Sequence, residues 1–185
     1  MTAPRAQNPL LDLGFELPFD AIRAEHAVPA TDALLAEASA ALDAVRADVS
    51  PPSYANTLGA MEAATAKLEL ASTVLEHLES VATTDALREA YNQTIPKTTA
   101  FWSALSMDHG LFLRVQAFSQ TAEAQGLDDT RARFLKKTLD SFRRNGAALE
   151  GEKKARLEAI DTRLSEITTR FSQNVLDSTN AYELY

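Results

Sequence analysis

The amino-acid sequence predicts an all-α protein, an antiparallel helical bundle of about six to seven helices with a long C-terminal helical hairpin. Three observations predict it. Alanine is abundant while only 6 Gly and 7 Pro occur in 185 residues, and Ala loses no side-chain entropy in a helix whereas Gly and Pro are its chief breakers. Apolar residues recur at spacings of three and four through most of the chain, the period of one helical face. No alternating strand pattern stands out before Ala181. The apolar fraction of 45% is enough for a buried core, and the length suits one domain. The expected division is an irregular lead-in over 1–16, a helical domain over 17–180, and the start of a following segment over 181–185.

Pro4 and Pro9 interrupt the lead-in, whose Leu10, Leu11, Leu13 and Phe15 can pack across a groove. Pro18 precedes a short helix with Phe19, Ile22 and His26 on one face; Pro29 is expected to stop it and to occupy the first turn of the next. That next helix reaches about Asp48 on the stripe Leu34/Leu35, Ala38, Leu42, Val45 and Val49, and Ser50-Pro51-Pro52 breaks it. A long helix follows from Ser53 or Asn56 to Val81, with Leu58, Met61, Leu68, Leu75, Leu78 and Val81 on its stripe. Thr83-Thr84-Asp85 is a restart, with Thr84 and Asp85 competing for the cap.

The helix after it carries Leu87, Tyr91, Ile95, Thr98, Trp102 and Leu105. Pro96 inside it removes a backbone donor, so a kink or a split is expected there. His109-Gly110 closes the segment, and Leu111 to Gln125 forms another helix ended by Gly126. Asp128 or Asp129 caps the next, which bears Phe134, Leu135, Leu139 and Phe142; Gly146 suits the left-handed conformation that ends it. The last helix has the clearest pattern: Leu157, Ile160, Leu164, Ile167 and Phe171 form a heptad-like seam that Val175 extends. The preceding helix, joined through Gly146–Gly151, is its expected partner, with a free coiled-coil dimer as the rival. Ala181 to Tyr185 alternates like a short strand, which is unstable in isolation.

The formal net charge of −8 disfavours general binding to nucleic acid or anionic lipid. The charge is uneven: residues 131–170 hold 11 Lys+Arg against 6 Asp+Glu, leaving 7 against 20 elsewhere. There is no cysteine, so disulfide and thiolate chemistry are excluded. Met1 to Pro9 lacks an apolar signal-peptide core, and no apolar run approaches the roughly 20 residues of a membrane span. The expectation is a soluble, cytoplasmic protein.

No catalytic motif is present. An HExxH zinc peptidase needs two histidines one turn apart on a helix with a glutamate between them as general base. The histidines here, His26, His77 and His109, lie far apart. Glu76-His77-Leu78-Glu79 sets two carboxylates around a histidine and becomes a metal site only if another helix adds a ligand; otherwise it is a solvated surface. There is no nucleophile elbow and no glycine-rich phosphate loop. Lys136-Lys137 with Arg143-Arg144 is the best anion-binding candidate, although cations near a helix C-terminus also complement its dipole. Trp102 and Tyr91 read as core before they read as a ligand platform.

Several stretches carry a family resemblance. Asn8-Pro9-Leu10-Leu11, Leu17 to Ile22 with Glu25-His26, Ser53 to Leu58 with Met61-Glu62, His77-Leu78, Leu87 to Asn92 and Pro96 occur in a familiar order. Phe142-Arg143-Arg144-Asn145-Gly146-Ala147 and Phe171-Ser172-Gln173-Asn174-Val175-Leu176-Asp177 complete it. The set resembles the oligopeptidase A and thimet oligopeptidase family of zinc metallopeptidases, over nearly the whole chain.

The resemblance implies the N-terminal helical wall of a two-lobed shell around a deep channel that admits short, unfolded peptides. It implies Zn2+ for the full-length enzyme, bound by a downstream HExxH and a more distant glutamate. No position here matches those ligands, so no catalytic, cofactor-binding or metal residue is assigned to this chain, and by itself it is expected to be inactive. The implied partners are the catalytic half of the same polypeptide and short peptides. The alternative is a free-standing helical protein-interaction module without enzymatic activity. A helical signalling bundle shares the fold signals and leaves the ordered matches unexplained.

Overall fold

The computed structural model describes residues 8–149, 151–180 and Tyr182. Among them are α1 (Ala24–Ala47), α2 (Ala60–Ala82), α3 (Asp85–Ser106), α4 (His109–Ser119), α5 (Ala122–Gln125), α6 (Asp129–Arg144) and α7 (Gly151–Asn180), and no strand. The all-α expectation holds.

Several helix starts have a local cause. Thr84, not Asp85, caps α3, its hydroxyl accepting from the Leu87 N–H at 3.2 Å. Asp128 caps α6 through the Arg131 N–H at 2.9 Å. These acceptors satisfy amide groups that have no partner inside the helix. At the start of α1 the roles are reversed: the Arg23 N–H donates to His26 Nδ1 at 3.0 Å. In the lead-in, Pro9–Leu11 makes a 3-10 turn. Asn8 fixes it, accepting from the Leu10 N–H at 3.1 Å and donating to the His26 carbonyl at 2.9 Å.

α1 is the central helix. α2 runs antiparallel along it and α3 parallel to it, as the core shows. At its N-terminal end Ala27 and Ala30 lie with Leu10, Val74, Leu75 and Leu87. In the middle Leu34 and Ala38 meet Leu68 and Ala71, with Phe101 and Trp102 at the edge. At its C-terminal end Leu42 and Val45 join Leu58 and the second half of the fold. There Leu111, Phe112, Val115 and Phe118 of α4 pack on Leu135, Leu139 and Phe142 of α6. The small alanines on α1 allow close helix approach, and the larger leucines and phenylalanines fill the wider end.

The structure departs from expectation at several points. Pro29 lies inside α1 and stops nothing. Its ring is exposed, and the carbonyl left without a helical donor belongs to exposed Glu25, which solvent reaches. Pro96 likewise does not split α3, and the corresponding residue, Asn92, is also exposed. His109-Gly110 opens α4 instead of closing α3, because Asp108 accepts from the Leu111 N–H at 2.8 Å. The single helix expected over Leu111 to Gln125 breaks before Thr121, whose hydroxyl accepts from the Ala124 N–H at 3.2 Å and starts α5. Phe15, Val49 and Val81 are exposed and Phe134 partly so; Val49 lies beyond the end of α1.

The C-terminal hairpin forms only at its base. Gly146 takes the left-handed conformation at φ +85°, and Leu157 lies directly against it. Beyond that joint the described seam residues of α7, Ile160, Leu164, Ile167, Phe171 and Val175, are about half exposed or more. The strand-like pattern of 181–185 lies outside the described residues except for Tyr182.

Candidate functional site

The three histidines serve three separate structural ends. His26 takes part in the start of α1. His77 is exposed, with its ring 5.8 Å from that of Phe19. His109 Nδ1 is 2.8 Å from the Ala147 carbonyl; a carbonyl only accepts, so Nδ1 carries the proton and ties α4 to the turn after α6. Among the described residues no three of His, Cys, Asp and Glu come together in a group that could hold a metal ion. The donor groups among the described residues therefore do not fit a zinc centre.

The two carboxylates around His77 have other neighbours. Glu79 pairs with Arg88 at 3.2 Å. The Tyr91 hydroxyl is held above its ordinary value, first by burial and then by the charges of Glu76 and Glu79. Both effects penalise a phenolate, so Tyr91 is an edge-of-core residue that stays neutral. Trp102 stands edge-on to Phe101 with ring centroids 5.1 Å apart. It forms one side of an open cleft with Glu69, Ser72, Thr73 and Glu76. Lys136, Lys137, Arg143 and Arg144 are all exposed, with Asp140 3.7 Å from Arg143. They decorate the exposed side of α6.

The exposed face of α7 is the feature that most needs a partner. Ile160 is 52% exposed, Ile167 50% and Phe171 67%, and Leu164 and Val175 are similar. Shallow apolar grooves follow the same face, one beside Ile160, Leu164 and Ile167 and another beside Phe171 and Val175. Contiguous apolar surface on one helix face marks a site of contact. In the sequence the apolar seam stands out more clearly than the arginines beside it. Arg156, Arg163 and Arg170 are exposed and spaced seven residues apart, each immediately before a seam residue. That spacing was the available signal.

Residues 31–154 match the family described as neurolysin/thimet oligopeptidase, N-terminal domain. The chain is 34% identical to oligopeptidase A of Salmonella typhimurium over 93% of its own length and 25% of the relative's. It is 32% identical to oligopeptidase A of Escherichia coli, again over 93% and 25%. The probable cytosolic oligopeptidase A of Arabidopsis thaliana is 28% identical over 96% of this chain and 25% of its own length. The chain thus spans about a quarter of the length of these relatives. With that match over 31–154, on an all-α bundle, the chain belongs to the neurolysin/thimet oligopeptidase N-terminal domain family.

Proposed function

We propose that residues 17–180 are the N-terminal, channel-wall part of a zinc metallo-oligopeptidase of the cytoplasm, whose complete form hydrolyses short peptides. In this reading the catalytic half of the same polypeptide supplies the metal ligands, and the chain alone turns over nothing. The observation that carries it is the family match together with relatives named oligopeptidase that are about four times as long. The uncovered apolar face of α7 supports it, since a wall helix needs something to pack against. No helix among the described residues is long and apolar enough to cross a membrane.

The test is an assay of this chain on a quenched short peptide with added zinc. No turnover is expected, and chelator-sensitive hydrolysis would overturn the claim of inactivity. The reading frame is the second test. A frame running past Tyr185 into an HExxH motif is expected; a stop codon directly after it would favour a free-standing interaction module.

A further inference from the structure

We infer that the exposed face of α7 docks an amphipathic partner helix carrying carboxylates at seven-residue spacing beside its own apolar stripe. This rests on the reading of α7 as a covered surface in the complete protein and adds the chemistry of the cover.

Seven residues turn an α-helix through about 20° less than two full turns, so positions seven apart form a nearly straight row. Arg156, Arg163 and Arg170 are such a row. They flank Leu157, Leu164 and Phe171 along one edge of the seam, and Ile160 and Ile167 fill the alternate turns. Successive arginines are about 10.5 Å apart along the axis. Arg156 and Arg163 both border the groove lined by Ala159, Ile160, Leu164 and Ile167. A helix laid in that groove brings its own flanking positions against the arginines, as flanking charges do in paired helices. The guanidinium fork favours carboxylates there.

A second copy of this chain is a poor occupant. In an antiparallel pair the arginine row meets itself. In a parallel pair it meets positions 161, 168 and 175, where the sequence has a single carboxylate in Asp, Thr and Val. Repulsion along that row opposes the antiparallel pair, and the parallel pair offers the three arginines only one carboxylate. The partner is therefore an acidic-flanked helix from a different segment.

The experiment titrates the 185-residue chain against two fluorescent helical peptides with the same apolar heptads, one flanked by Glu and the other by Lys. The Glu peptide is expected to bind about tenfold or more tighter, with the difference shrinking as salt is raised. The R156E/R163E/R170E variant should reverse the preference, and R156K/R163K/R170K should keep its direction. Equal binding, preference for the Lys peptide, or binding of neither would overturn the proposal. So would dimers of the chain in sedimentation, or adsorption to vesicles containing phosphatidylserine that the charge-reversed variant loses. These readouts do not involve peptide hydrolysis. Chelator-sensitive turnover by the chain alone would sink the peptidase-wall reading and leave the charge preference standing.

Discussion

Leu157 occupies the space that a side chain on Gly146 would need: a Cβ placed on Gly146 would lie 2.2 Å from Leu157 Cδ2. Because Gly146 also has φ +85°, two separate penalties meet at one residue, one from the backbone and one from the neighbour. Gly146→Ala is expected to destabilise the chain by about 1–3 kcal/mol, read as a lower urea midpoint. Adding Leu157→Ala should recover the steric part and leave the backbone part. The two substitutions will therefore be less than additive. Full recovery, or none, would contradict that division.

Arg114 holds the Pro51-Pro52 connection in place. Its side chain is 10% exposed and lies 2.5 Å from the Asp48 carboxylate. It also donates to the Asp48 carbonyl and, at 3.5 Å, to the Asn56 carbonyl. Arg114→Met is expected to cost about 1–3 kcal/mol by leaving those acceptors without their donor. Arg88→Met, which breaks a pair whose arginine is 58% exposed, should cost less than about 1 kcal/mol. Equal losses in the two variants would mean that burial does not set the strength of these pairs.

Asp48 predicts a pH dependence. Its carboxyl is held below the ordinary value of 3.8 by hydrogen bonds from Ser50, side chain first and then backbone, and by the charge of Arg114. A depressed folded value stabilises the fold above that ordinary value, and the contribution is lost as pH falls through the folded one. Urea midpoints measured from about pH 5 down to about pH 2 should fall less for Asp48→Asn than for the natural chain. Parallel curves would show that this carboxylate contributes nothing.

Core and seam should respond differently to truncation. Phe118 is fully buried among α4, α6 and Tyr54, so Phe118→Ala should cost about 3–5 kcal/mol. Ile167→Ser removes a residue half exposed on α7 and is expected to change stability by no more than about 0.5 kcal/mol in this chain. A loss at Ile167 comparable with that at Phe118 would mean that α7 packs on the bundle in solution as a full hairpin.

Much of the architecture was legible in the residues. Leu34, Ala38, Leu42 and Val45 formed one stripe in the sequence and are buried along one face of α1. Gly146 was read as a left-handed terminator and adopts that conformation. What misled were residues with two valid local roles. An interior proline costs less where the orphaned carbonyl can reach water, and Glu25 and Asn92 are exposed. Asp108 and Thr121 moved helix ends because capping competes with periodicity, and an apolar pattern alone cannot reveal that contest. Of the candidate site, the apolar seam was visible, whereas the tie made by His109 depended on the Ala147 carbonyl, and the neutral phenol of Tyr91 on burial and on Glu76 and Glu79.

The residues by themselves determined the helical class, the apolar stripes and the family, since propensity, period and motif order are properties of the chain read in line. Only the tertiary structure decided which stripes find a partner. Those of α1, α2, α4 and α6 close on one another, while that of α7 stays open past Leu157. The reason is physical: a helix acquires its apolar face from its own sequence, but burying that face takes surface contributed by another segment.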